Sequence, residues 1–197
     1  MSRIVRSVLA IGASAAVLAA GVTVAVAAAE PSTPSVTASS VTAAVASPPA
    51  VQLKAEHSGK CLAIGNASLR NGTNATQSTC ADDSENQKFD MVPTGAGTFE
   101  LKFKHSGKCL DVESSGTTNG TVVQQWWCVG VQNQRWRLVM VDIANELYEL
   151  RPAHTAANAQ RCLNIASAGK DDGAAAQLAS CSGSAAQKWR IQPVTAA

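Results

Sequence analysis

The sequence predicts an all-β domain built from three like modules that share one core, and three observations lead there. Six cysteines fall in pairs at one constant separation: Cys61 and Cys80, Cys109 and Cys128, Cys162 and Cys181. Six or seven residues after each second cysteine comes Gln, one residue, then an aromatic: Gln87-Lys88-Phe89, Gln134-Arg135-Trp136, Gln187-Lys188-Trp189. Between these marks, stretches of period-two alternation such as Phe99–Phe103 and Trp136–Val139 are separated by turn signals, among them Ser58-Gly59, Asn71-Gly72, Asn119-Gly120 and Asp172-Gly173. No stretch beyond residue 50 carries a sustained helical period with caps.

The elements follow in chain order. Arg3 and Arg6 precede an apolar run from Val8 to Ala29 that ends in small residues. That is the pattern of a cleaved signal peptide, residues 1–29; the alternative is an uncleaved membrane anchor. Residues 30–50 are Pro, Ser, Thr, Ala and Val with no charge after Glu30. They offer too little apolar surface to offset ordering entropy and read as a disordered linker. The domain proper runs over 51–195, in repeats of about 51–98, 99–147 and 148–195. Each opens on a strand (Val51-Gln52-Leu53-Lys54, Phe99-Glu100-Leu101-Lys102, Tyr148-Glu149-Leu150-Arg151), and His-Ser-Gly-Lys-Cys-Leu occurs outright from His57 and from His105. The third copy has four extra residues before Cys162. One such repeat cannot cover its own apolar face, so three must close about a pseudo-threefold axis.

The repeat also selects a disulfide pairing. Each copy carries its own cysteine pair, giving Cys61–Cys80, Cys109–Cys128 and Cys162–Cys181 out of fifteen arithmetically allowed arrangements. Loops of this size contribute about 3 kcal/mol each in the chain-entropy account. The rival assignment, a zinc site, lacks the closely spaced Cys-x-x-Cys pairs such sites use, so neither metal nor cofactor is expected. Charge narrows the partners. The full chain has 16 Lys and Arg against 14 Asp and Glu. Loss of Arg3 and Arg6 leaves it neutral, without the basic footprint that nucleic-acid binding requires.

Cys-Leu-x-(Val/Ile), a second cysteine at fixed spacing and Gln-x-aromatic, three times over, resemble the ricin-B lectin family and the related carbohydrate-binding modules of bacterial glycanases. The resemblance implies a twelve-stranded β-trefoil: a six-stranded barrel capped by three hairpins, with one sugar pocket per repeat. It also implies the pocket residues: an Asp two after the first cysteine, a Gln four before the second, an aromatic two before it, and the Asn-Gln that opens the last motif. The second repeat matches throughout, with Asp111, Gln124, Trp126, Asn133 and Gln134. The first has Ala63, Thr76 and Ser78 at the leading three positions, and the third has Asn164, Gln177, Ala179 and Ala186. Ala63 removes the central acceptor and Ala179 the aromatic platform, so one working site is expected, in the second repeat.

The chemistry of those residues fits a pyranose. A carboxylate such as Asp111 accepts from sugar hydroxyls, and the amides of Gln124 and Asn133 both donate and accept. Trp126 offers a flat face to the sugar's apolar C–H patch. Strand alternation puts Gln124 and Trp126 on one face. Trp136, Trp189 and Phe89 recur whatever the pocket residues do, which marks them as core. Gln134 recurs as Gln87 and Gln187 and is expected to brace backbone beside the pocket. Gln125 occupies a position where the family usually has an apolar residue. His57 and His105 lie in equivalent turns, and His154 is placed in the third repeat's insertion; all three are read as structural. The expectation is a secreted lectin for galactose-like or xylose-like glycans, not an enzyme, with a protein-binding trefoil as the alternative. Neither the sugar nor the oligomeric state is legible.

Overall fold

A computed structural model describes residues 49–194; the signal-peptide and most of the linker assignments lie outside them. Twelve strands follow in chain order, with one-turn 3-10 segments between them and no α-helix among the described residues. Six form a closed ring. These are β1 (Val51–Ala55), β4 (Phe89–Gly95), β5 (Thr98–Phe103), β8 (Arg135–Asp142), β9 (Leu147–Pro152) and β12 (Trp189–Pro193). Each pairs antiparallel with the next, and β12 returns to β1 with Val51 opposite Pro193 and Ala55 opposite Trp189. The other six make three hairpins: β2 (Cys61–Ile64) with β3 (Ala75–Ser78), β6 (Cys109–Val112) with β7 (Val123–Trp126), and β10 (Arg161–Ile165) with β11 (Ala176–Ser180). This is the β-trefoil that the family resemblance implied. The three hairpins also touch one another cyclically, through bridges Asn74–Gln124, Val122–Gln177 and Thr76–Ala175.

Period-two alternation explains the core. Leu53, Leu101 and Leu150 point inward from equivalent strands, with Leu62, Leu110 and Leu163 beneath the hairpins, and all are buried. Phe89, Trp136 and Trp189, the aromatics of the Gln-x-aromatic motif, are fully buried in the same cluster. The indole N–H groups remain satisfied: Trp136 Nε1 donates to the Leu110 carbonyl at 3.0 Å and Trp189 Nε1 to the Leu163 carbonyl at 3.1 Å. Disulfides join Cys61 to Cys80, Cys109 to Cys128 and Cys162 to Cys181, with Cα separations of 5.0–5.1 Å. Each ties a hairpin to the loop beyond it.

The motif glutamines brace those loops. The side-chain oxygens of Gln87, Gln134 and Gln187 accept the amide N–H of Ala81, Val129 and Ser182, while their Nε2 groups donate to the carbonyls of Thr79, Trp127 and Ser180. Gln125 is buried and fully engaged: it accepts from Ser106 Oγ and donates to the Ser68 and Arg70 carbonyls of the first repeat. Gln77 does the same with Ser58 and the Gly169 and Asp171 carbonyls. A polar residue at this position is therefore a strut between repeats.

The structure changes the place of His154. It lies four residues after Leu150, as His57 follows Leu53 and His105 follows Leu101, so it is the third symmetry equivalent and precedes the insertion. Each Nε2 meets a neighbouring repeat's carbonyl: His57 at Gly169 (2.8 Å), His105 at Ser68 (3.1 Å) and His154 at Gly116 (2.9 Å). A carbonyl only accepts, so Nε2 carries the hydrogen in all three. Each Nδ1 is buried without a partner.

For His105 burial, outweighing the Ser68 hydrogen bond, lowers the pKa below 6.5; the Lys108 charge lowers it further and Glu85 opposes. A depressed folded-state pKa means the unfolded chain binds the proton more tightly, so His105's contribution to stability is intact above about 6.5 and is lost as pH falls from there toward its folded pKa. Denaturant midpoints measured across this window are expected to fall on acidification, and less steeply in His105→Gln, whose amide still donates to the Ser68 carbonyl. Equal slopes in the two proteins would contradict the assignment.

Candidate functional site

The second repeat holds a cleft of about 440 Å³ where the β6–β7 hairpin meets the first repeat. All five residues expected from the sequence line it. Asp111 comes from β6 and sits directly opposite Gln124 on β7; Trp126 lies two residues further along the same face. Asn133 and Gln134 enter from the one-turn segment Gln132–Gln134 that leads into β8. The disulfide Cys109–Cys128 holds the start of β6 to the chain just past β7 and so fixes both walls.

Asp111 is the centre, only 4% exposed. Gln124 Nε2 donates to its Oδ1 at 2.9 Å, and Asn133 Nδ2 (2.9 Å) and Gln134 Nε2 (3.1 Å) donate to its Oδ2. The orientations of two of these amides are set independently, since Asn133 also donates to the Val112 carbonyl and Gln134 is fixed by its loop. A carboxylate has about four lone-pair sites, so these donors leave one, on Oδ1. Asp111 can thus accept one further hydroxyl while the amide ring stays closed. Trp126 stands beside it with 41% of its surface exposed, whereas the indoles of Trp136 and Trp189 are sealed in the core.

Sequence reasoning missed the rest of the lining: Gly72, Glu113, Ser114, Ser115, Val129 and Val131. Val129 and Val131 add an exposed apolar wall. Glu113–Ser115 is a turn with Ser114 and Ser115 in the left-handed region, a conformation repeated at Asn66 and Ala67 and at Ser167 and Ala168. Three-fold recurrence of that turn was the available signal. Gly72 belongs to the first repeat, where its φ of +76° suits glycine, and a Cβ there would lie 3.7 Å from Gln124 Oε1 and 3.8 Å from the Trp126 ring. Trp127 points elsewhere. Its ring lies 3.7 Å under the Lys108 ammonium, a cation–π contact outside the cleft.

The other repeats present different groups at these positions. Ala63 is buried, and Asn86 spends its amide on the Ile64 carbonyl. In the third, Asn164 donates to the adjacent Ile165 carbonyl, and Ala186 offers no amide.

This fold and these spaced motifs define a class, and the comparisons agree. The ricin-type β-trefoil lectin domain-like family matches residues 40–126 and 132–197, and the chain belongs to that family. Among solved structures it is similar to the designed 3-fold symmetric protein ThreeFoil, with 37% identity, a TM-score of 0.67, and coverage of 73% of this chain and 97% of that one. It also resembles an exo-β-1,3-galactanase from Clostridium thermocellum, at 26% identity and TM-score 0.68, covering 74% of this chain but 30% of the larger enzyme. An earthworm R-type lectin C-half, solved in complex with GalNAc, shares the fold at 17% identity and TM-score 0.56, with 74% and 99% covered. No functionally curated protein matches the chain in sequence.

Burial raises the Asp111 pKa above 3.8, and the bonds from Gln124, Gln134 and Asn133 together with the His154 charge only partly oppose it. A raised carboxylate pKa means the folded state holds the proton more tightly, so stability falls as pH rises from 3.8 through the folded value. Asp111→Asn removes that loss. Its Oδ1 can still accept from Asn133 and Gln134, and Gln124, held by Asp111 alone, can turn its carbonyl to the new amide. The melting temperature at pH 7 is expected to equal or exceed wild type; a loss of more than about 2 kcal/mol would show the charge to be stabilising instead.

Proposed function

We propose that this chain is a secreted carbohydrate-binding protein that recognises galactose-like or xylose-like glycans through one cleft in its second repeat, and binds them without hydrolysis. The observation that carries this reading is a buried carboxylate with one free lone pair, ringed by amides, beside an exposed indole. A pyranose hydroxyl completes Asp111, the free oxygens of Gln124 and Asn133 accept from its neighbours, and the C–H face stacks on Trp126. Membership of a lectin-like family points the same way, as do three disulfides, which persist in oxidising compartments. The partner is therefore a glycan or polysaccharide, with no cofactor.

Few hydrogen bonds and one stacking contact imply a dissociation constant on the order of 0.1–1 mM per site once association costs are included. One site gives no avidity within the chain, so firm retention needs a repetitive polymer or self-association.

Glycan binding by titration is expected to weaken at least about tenfold in Asp111→Ala, and roughly three- to tenfold in Trp126→Ala, where only the platform is lost. Undiminished binding by Asp111→Ala would sink the site. Binding in the wild type should also decline on acidification, beginning above the usual aspartate range because the pKa is raised, as the protonated group loses its charged acceptor. Release of sugar from a bound polymer would overturn the non-enzymatic reading.

A further inference from the structure

The cleft carries fixed charge of one sign. Asp111 lies on its floor and Glu113 on its rim, and no lysine or arginine lines it among the described residues. The arginines nearest in the chain belong to its walls without facing in: Arg135 donates Nη2 to the Gly130 carbonyl at 2.9 Å, and Arg70 lies two residues before Gly72 without being a lining residue. His154, whose charge would reach Asp111, is not a lining residue; its Nε2 donates to the Gly116 carbonyl at 2.9 Å.

The two carboxylates are not equivalent. Asp111 is enclosed and takes three amide donors. Glu113 is exposed and forms no ion pair among the described residues, yet its position is fixed. Its N–H donates to the Val122 carbonyl at 3.0 Å, Gly116 closes the turn onto the Glu113 carbonyl at 2.9 Å, and the His154 bond to Gly116 anchors that turn to the third repeat. A carboxylate carried on this fixed turn, with no ion-pair partner among the described residues, acts on whatever enters.

Taking the cleft as the sugar site proposed above, we infer that it selects its ligand by charge: it takes uncharged pyranoses and protonated amino sugars and rejects uronates, with Glu113 as the discriminating residue. An acidic sugar would bring a third negative charge between two walls that offer it no counter-ion, while an ammonium group would meet an unpaired carboxylate. Because Glu113 is exposed, salt screens its share of the effect.

The test follows the Trp126 indole N–H by NMR during titration with matched sugars: galactose, galacturonate and galactosamine, and xylose with glucuronate, which adds a carboxylate to the same ring. At low salt each uronate is expected to bind at least about tenfold more weakly than its neutral parent, and galactosamine at least as tightly as galactose. Glu113→Gln should narrow the gap between each uronate and its neutral parent, both measured in the variant, to about threefold. A uronate that binds as well as its parent, or a gap that Glu113→Gln does not move, overturns the inference while leaving the sugar site standing. If neither neutral sugar moves the Trp126 signal, the sugar site itself falls, and the charge selection with it.

Discussion

Every repeat of this trefoil leaves backbone groups that it cannot satisfy alone, and the neighbouring repeat supplies the missing partner. His57, His105 and His154 each donate to a carbonyl of the loop that joins the two strands of another repeat's hairpin, and Gln77 and Gln125 do so twice over. A buried carbonyl without a donor is costly, so these bonds act as a closure condition on the ring. They also determine where the cleft can be. Gln125 and His105 of the second repeat hold the first-repeat segment leading to Gly72, and His154 of the third repeat holds the second-repeat turn bearing Glu113, so each rim of the cleft is set by a bond between repeats. The core supplies the bulk of the burial, but the cyclic polar contacts fix the loops.

Against that background Asp111 is an expense. Its raised pKa says that burial disfavours the charge more than three amide donors favour it. The first repeat has Ala63 and the third Asn164 at the same position, and both fold without the carboxylate. A buried acid that the other two repeats fold without, in the one repeat that also exposes an indole, supports the proposed sugar site. The same reasoning assigns Gln134 two duties. Its loop bonds recur in Gln87 and Gln187 and are structural, whereas its contact with Asp111 belongs to the second repeat alone.

The sequence made the repeat, the core aromatics and the five central cleft residues legible because each is a side chain at a fixed distance from a cysteine. What escaped it has a common cause. Gly72, Val129 and Val131 reach the cleft through loop paths, and Gly72 does so from another repeat, which no spacing within one repeat reveals. Gln125 looked out of place because its two carbonyl partners are some 55 residues away in sequence. His154 was assigned to the insertion because counting back from Cys162 crosses four extra residues; counting forward from Leu150 reaches the correct equivalence. Distances measured from a strand survive an insertion in the following turn, and distances measured across it do not.

One departure from symmetry lies at the edge of the cleft. Asp172 accepts the Thr79 N–H at 2.8 Å and Asn119 accepts the Ser180 N–H at 2.7 Å, two equivalent links between repeats. The third member of the set would join Asn71 to Trp127, yet Asn71 Oδ1 is buried without a partner. Trp127 instead sits beneath Lys108, whose counterpart Lys60 bonds Thr79 and Asp172 in the intact junction. So the only junction of the three that lacks this link is the one between the first and second repeats, beside Gly72. An unpaired buried acceptor destabilises, and here it falls where two consecutive tryptophans replace the small residues of the other repeats, Ser78-Thr79 and Ala179-Ser180. This one link is kept at the two junctions away from the cleft and is missing at the junction beside it, where the histidine bond remains.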